Sequence, residues 1–156
     1  MRFHIIAVSQ KMPAWINTGF YDYQKRFSKA HPCILTEIPL QKRTNIQVLE
    51  QQISAETKKI KSKIIKGSKT IALDVRGSLW STETLADHIA RWQQETSTVN
   101  FLIGGPDGLS QECLASAEKR WSLSPLTFPH PIVRILLIEQ LYRAICILKG
   151  HPYHRD

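Results

Sequence analysis

The sequence predicts an α/β protein, a mostly parallel sheet with helices on both faces, in a single domain spanning residues 1–156. Three observations carry this. Short strand-like runs alternate with helix-periodic segments along the whole chain, which is the pattern of a parallel sheet covered on both sides. The last long segment, Pro131–Lys149, is apolar on nearly every side and must be buried. The composition, 42% hydrophobic and 22% charged residues, is that of an ordinary globular protein, and no repeat or linker divides it.

In order, Phe3–Ser9 reads as the first strand, and Pro13 opens a helix to about Ser28 with Trp15, Ile16, Phe20, Tyr23 and Phe27 at three- and four-residue spacing. Cys33–Ile38 is a second strand. Thr44 or Asn45 caps a long polar helix reaching about Lys66, with a narrow stripe of Ile46, Leu49, Ile53, Ile60 and Ile64. Thr70–Asp74 is a third strand, followed by a loop containing Gly77. Ser81 caps a helix to about Glu95 with Leu85, Ile89 and Trp92 inward, and Val99–Ile103 is the fourth strand. After the loop Gly104–Gly108, Ser110 caps a short helix to about Ala117, and Trp121–Leu123 is a short fifth strand.

The last helix is set by its punctuation. Pro131 suits a first turn, Lys149 complements the dipole at the other end, and Gly150 with Pro152 stops it. Four charged residues, Arg134, Glu139, Arg143 and Lys149, argue against a membrane span. All-round apolarity calls for two burying partners, so the expectation is the chain's own sheet on one side and a second subunit on the other. Glu139 and Arg143, four apart, form a helix ion pair.

The net charge of +8 is unevenly distributed, with +9 in residues 1–78 and −1 in residues 79–156. The densest run is Lys58, Lys59, Lys61, Lys63, Lys66 and Lys69. It reads either as a solvated helix face or as a footprint for a phosphate backbone. Lys25, Arg26, Lys42 and Arg43 add to the same half. Three cysteines, Cys33, Cys113 and Cys146, have no paired spacing, so neither disulfides nor a zinc cluster is expected; with no signal peptide, the expected location is cytoplasmic.

In parallel sheets ligands bind beyond the carboxyl ends of the strands. That rule singles out the loops after Leu73, after Ile103, and from Leu123 to Phe128. Neither GxGxxG nor GxxxxGK[ST] occurs, so a pyrophosphate clamp is not indicated. An oxidoreductase or nucleotide hydrolase would need one of those motifs. A basic RNA-binding module without chemistry would leave the three ordered loops unexplained.

Four motifs, LIGGPDGLS at 102–110, WSLSPLTFPH at 121–130, RILLIEQLYRA at 134–144 and HPYHR at 151–155, with the opening AVSQKMPAWINTGFYDYQKRF, resemble in order and spacing the ribosomal RNA large subunit methyltransferase H family. The resemblance covers nearly the whole chain. It implies the SPOUT class of methyltransferases, with a C-terminal trefoil knot and a homodimer. It further implies transfer of a methyl group from S-adenosyl-L-methionine to N3 of a pseudouridine in 23S ribosomal RNA. The cofactor contacts it implies fall on Leu73, Gly104, Leu123, Ser124, Pro125, Leu126, Thr127 and Phe128, the same three loops. The lysine run is not part of the family's pattern.

Methyl transfer is an in-line displacement that depends on alignment, and the N3 proton must also leave. The C-terminal tail supplies candidates: His154 as proton acceptor, Arg155 to stabilise the developing anionic base or grip a phosphate, and Tyr153 to stack on or bond the target. His151 and His154 lack the cysteine or carboxylate company that a metal site needs, so no metal is expected.

Overall fold

The computed structural model describes residues 1–41 and 46–154, the side chains of 46–48 excepted. The expected caps Thr44 and Asn45, together with Lys42, Arg43 and Arg155, lie outside the described residues. Five strands, β1 (Arg2–Ser9), β2 (Cys33–Pro39), β3 (Lys69–Leu79), β4 (Thr98–Ile103) and β5 (Lys119–Ser122), form one sheet in the order β2-β1-β4-β3-β5. Every pairing is parallel. The helices are α1 (Ala14–Gln24), α2 (Ile46–Lys63), α3 (Thr82–Glu95), α4 (Gln111–Ser116) and α5 (His130–Leu148).

Parallel pairing demands crossovers, and burial on both faces follows from them. Alternate residues of β1 accordingly feed two cores. Phe3, Ile5 and Ala7 join Phe20, Leu85, Ile89 and Leu137 under α1, α3 and α5, whereas Ile6 and Val8 join Ile38, Ile60, Leu102 and Cys113 under α2 and α4. Asn100 is wholly buried on the second face, where it meets His4 Nδ1 at 3.1 Å; Thr36 Oγ1 lies 2.9 Å from the other ring nitrogen. Both predicted serine caps form, with Ser81 Oγ accepting from the Thr84 amide and Ser110 Oγ from the Cys113 amide, each at 3.1 Å.

β3 departs from the sequence reading. It does not end at Asp74 but runs to Leu79, and the predicted loop is a bulge: Trp121 of β5 stands opposite both Leu73 and Ser78. Residues 74–77 are thrown out of the ladder. Gly77 is needed there because a Cβ would lie 2.7 Å from the Arg120 carbonyl carbon and the Trp121 nitrogen. Such bulges re-aim side chains beside functional sites. Trp80, just past the strand, stacks on Trp121 at 5.0 Å between ring centroids.

Two further expectations change. Trp15 belongs to the apolar spacing of α1 yet is 60% exposed. The apolarity of α5 is largely met within the chain, because the helix lies on the sheet between α1 and α3 and no residue from 130 to 147 is exposed. Ile132, Ile135 and Leu136 remain partly uncovered. A second subunit is therefore not required by that helix alone. Its one fully buried charge, Arg134, pairs with Glu37 of β2 at 2.8 Å. The Glu37 carboxylate is half exposed, so losing Arg134 strands no buried charge, and the cost lies in the cavity left by a wholly buried side chain. Arg134→Ala is expected to destabilise the fold by about 2 kcal/mol, and chemical denaturation measures it.

Among the described residues no helix is long and apolar enough to cross a membrane, and no group of histidines, cysteines and carboxylates could hold a metal. All three cysteines are free and buried, and burial pushes the Cys33 thiol up to about 12.

Candidate functional site

The carboxyl ends of β3, β4 and β5 enclose a cavity of about 430 Å³, in the size range of small-molecule sites. α3 leaves β3 on one face of the sheet while α4 leaves the adjacent β4 on the other. Neighbouring loops that diverge in this way open a crevice between them.

Three segments build the walls. The β3 bulge contributes Leu73, Asp74, Val75 and Arg76, and Asp74 Oδ1 accepts from the Arg76 amide at 3.2 Å, which fixes the bulge's shape. After β4 the chain turns sharply at Gly105-Pro106-Asp107-Gly108, closed by the Gly108 amide donating to the Gly105 carbonyl at 2.9 Å. Gly104 lies against the returning limb of this turn. A Cβ there would stand 2.4 Å from the Gly108 carbonyl carbon and 2.6 Å from the Leu109 nitrogen. Gly104 is thus dictated first by its own loop, not only by the approach of a ligand.

The third segment follows β5. Ser122 Oγ donates to the Ser124 carbonyl at 2.9 Å, and Ser124 Oγ accepts from the Leu126 amide at 3.0 Å. The segment forms no strand or helix and, among the described residues, makes no backbone–backbone hydrogen bond, so its main-chain groups other than the Ser124 carbonyl and the Leu126 amide are open to a ligand. Leu126 is 67% exposed at the cavity mouth, as is Val75 at 62%.

Of the predicted cofactor residues, Leu73, Gly104, Leu123, Ser124, Leu126 and Phe128 line this cavity; Pro125 and Thr127 belong to the same loop without lining it. Among the lining residues that the sequence reading did not assign to the site are Asp74, Arg76, Asp107, Arg120, Trp121 and His130. The strand-end rule reached the loops that hold the two aspartates. His130 closes the WSLSPLTFPH motif directly after the third loop, but Pro131 beside it drew attention as the helix start.

The predicted catalytic tail is not at this cavity. α5 carries His130 at its first residue and the tail beyond its last, so 19 residues at 1.5 Å rise separate the two by about 28 Å. Tyr153 Oη donates to Glu139 Oε1 at 3.1 Å, lies 3.3 Å from Tyr23 Oη, and has the Arg143 guanidinium over its ring at 4.8 Å. Burial, followed by the Tyr23 hydrogen bond, raises the Tyr153 phenol well above its ordinary value, so it is a donor and not a base. His154 Nε2 lies 3.2 Å from Glu83 on α3. The expected Glu139–Arg143 pair forms, at 2.6 Å, and doubles as the socket of Tyr153.

Beside the tail a second hollow of about 190 Å³ is lined by Arg26, Lys149 and His151 with Phe27, Tyr142 and Cys146. The lysine run lies elsewhere, on and after α2. Lys58, Lys59, Lys63 and Lys66 are exposed, whereas Lys61 is engaged by Glu112 at 2.7 Å and Lys69 by Glu95 and Glu118 at 2.8 and 3.0 Å.

A family profile described as a predicted SPOUT methyltransferase matches residues 1–154. A relative from Saccharophagus degradans named ribosomal RNA large subunit methyltransferase H is 48% identical over 99% of this chain and 100% of its own length. Among solved structures, a probable methylase family protein from Haemophilus influenzae superposes with a TM-score of 0.58 over 99% of this chain and 70% of its own, at 13% identity. The putative methyltransferase Lpg2936 from Legionella pneumophila, in complex with bound SAM, does so with 0.53 over 93% and 66%, at 10% identity. These two likenesses speak to the fold.

Proposed function

The chain belongs to the SPOUT methyltransferase family, and from that premise we propose that it transfers a methyl group from S-adenosylmethionine to N3 of a pseudouridine in 23S ribosomal RNA. The observation that carries the reading is the convergence of three strand-end loops on one cavity, in a chain nearly half identical over its whole length to a ribosomal RNA methyltransferase.

The cavity's chemistry suits the cofactor. Leucines and open main chain accept a flat heterocycle, Asp74 and Asp107 offer carboxylates to a cationic ligand, and Arg76 and Arg120 offer guanidinium groups to a carboxylate. No phosphate cradle is present in the sequence and none is needed. Bound there, the cofactor supplies an electrophilic methyl group. Leu73, Gly104 and the 123–128 loop hold and orient it, and exclusion of water by Leu123, Leu126 and Phe128 strengthens the polar contacts.

Labelled cofactor incubated with the protein and ribosomes tests the reading. The expected product carries one methyl group on a pseudouridine of 23S RNA, located by mass spectrometry of nuclease fragments. RNA that is bound but never labelled would instead favour a non-catalytic ribosome-associated binder.

RNA capture falls to the basic N-terminal half. Neutralising Lys25 and Arg26, with Lys42 and Arg43, is expected to weaken RNA binding and lower the log–log salt slope by about 0.7–0.9 per lost phosphate contact. Titrations at several salt concentrations read this, while cofactor affinity stays constant. Asp22 already holds Arg26 at 2.7 Å, which lowers the share of this effect that falls on Arg26.

The working unit is a homodimer. Gly19 of α1 abuts Ile135 of α5, which sets Trp15, one turn earlier, at the level of the first turn of α5. Exposed Trp15, Val75 and Leu126 and half-covered Ile132 and Leu136 therefore gather toward the end of the molecule that holds the cavity. Light scattering at micromolar concentration is expected to give about twice the 17.9 kDa chain mass. A monodisperse single-chain mass would refute the dimer.

A further inference from the structure

We propose that His130, at the first residue of α5, is the group that takes the N3 proton of the target base during methyl transfer. This rests on the reading above and assigns a catalytic role that neither the resemblance nor the relatives' names supply.

The six histidines have different surroundings. His4 is bonded through both ring nitrogens, His31 meets Gln93, His88 meets Arg91 while stacked on Trp92, His151 accepts from the Tyr153 amide, and His154 meets Glu83. Each is engaged within its own chain, and none of the five lines that chain's own cavity. His130 alone lines the large cavity, and among the described residues it has no hydrogen-bond partner. An imidazole placed on a cavity wall with its ring nitrogens unclaimed by the fold is available to a ligand.

Its electrostatic surroundings agree with the role. Burial, followed by the nearby Arg134 guanidinium, lowers the His130 pKa, so the ring is neutral and able to accept a proton at neutral pH. Arg134 cannot swing away, because Glu37 holds it from β2, and Ser9 at the end of β1 donates to the same carboxylate oxygen. The other charged groups facing the cavity are Asp74 and Arg76 from the β3 bulge, Asp107 from the loop after β4 and Arg120 from β5. The two aspartates act against Arg76 and Arg120, and Arg134 is the group that directly biases His130.

The step balances. The N3 proton passes to an imidazole nitrogen, and the electron pair left on N3 forms the bond to the methyl carbon. The carbon–sulfur bond breaks with its electrons, leaving a neutral thioether, and the imidazolium returns its proton to solvent.

The test uses the full chain with ribosomal RNA at saturation. For His130→Gln, single-turnover methyl transfer is expected to fall by about 100-fold, within the usual range for a lost general base. The acid limb of its pH profile should vanish, while S-adenosylmethionine and RNA affinities measured by titration remain unchanged. In the unmodified protein the acid limb of the rate should coincide with the NMR titration of His130, below the ordinary histidine value of about 6.5. Turnover and pH profile like those of the unmodified protein would overturn the assignment. So would loss of cofactor binding together with turnover, or a limb that does not follow the His130 titration. Should the unmodified protein transfer no methyl group, the functional reading itself fails, and that result is separate from any behaviour of the variant.

Discussion

Gly104→Ala and Gly104→Val are expected to weaken S-adenosylmethionine binding by at least about 100-fold, with the larger loss for Val. The cause lies in the loop before it lies in the ligand. A Cβ at this position meets the main chain of Gly108 and Leu109 at 2.4–2.7 Å, and backbone cannot rotate aside as a side chain can. The returning limb must move, and with it Asp107, Leu109 and Gln111, which share the cavity wall. The geometry therefore predicts a measurable loss of stability as well, about 1–3 kcal/mol as for other overpacked sites. Isothermal titration and thermal unfolding read the two effects. Gly67→Ala serves as the control, since it too strains a turn, at φ +77°, but its Cβ meets nothing within 4 Å and no cavity residue is near it in sequence. Unchanged cofactor affinity in Gly104→Ala would remove the loop after β4 from the site.

What the sequence could reveal follows from the range over which its signals act. Serine caps, Pro-led helices and apolar runs act over a few residues, and so Ser81, Ser110 and the α5 boundaries were legible to within one or two positions. The bulge in β3 was not, because Asp74 to Gly77 read as a turn until β5 is laid beside them. Trp15 misled for the opposite reason: its spacing is that of a buried face, but α5 covers only one side of α1, and Trp15 falls outside that cover. The Arg134–Glu37 pair joins residues 97 positions apart, beyond any local pattern. The three loops were legible because strand ends are a topological property that alternation already implies. The separation of the tail from the cavity was hidden, since it depends on which end of α5 faces which edge of the sheet.

Deleting residues from His151 onward is expected to collapse methyl transfer at saturating substrate while RNA and cofactor binding are largely kept, because a group acting in the transition state affects turnover more than ground-state binding. The geometry adds a condition that the sequence did not contain. Within one chain the tail is docked by Tyr153 on Tyr23 and Glu139 and by His154 on Glu83, about a helix length from the chain's own cavity. In the proposed dimer, a tail that serves the reaction would therefore serve the cavity of the other protomer. Mixed dimers decide the matter. A protomer lacking the tail but with an intact cavity, combined with a Gly104→Val protomer that keeps its tail, should recover a substantial fraction of the activity that each homodimer lacks. Only the mixed species pairs a working cavity with the opposite chain's tail. If the mixture stays as inactive as its parents while the truncated chain still binds cofactor and RNA, the tail does not act across the dimer. If the truncated homodimer itself turns over at the full rate, Tyr153, His154 and Arg155 have no part in the chemistry.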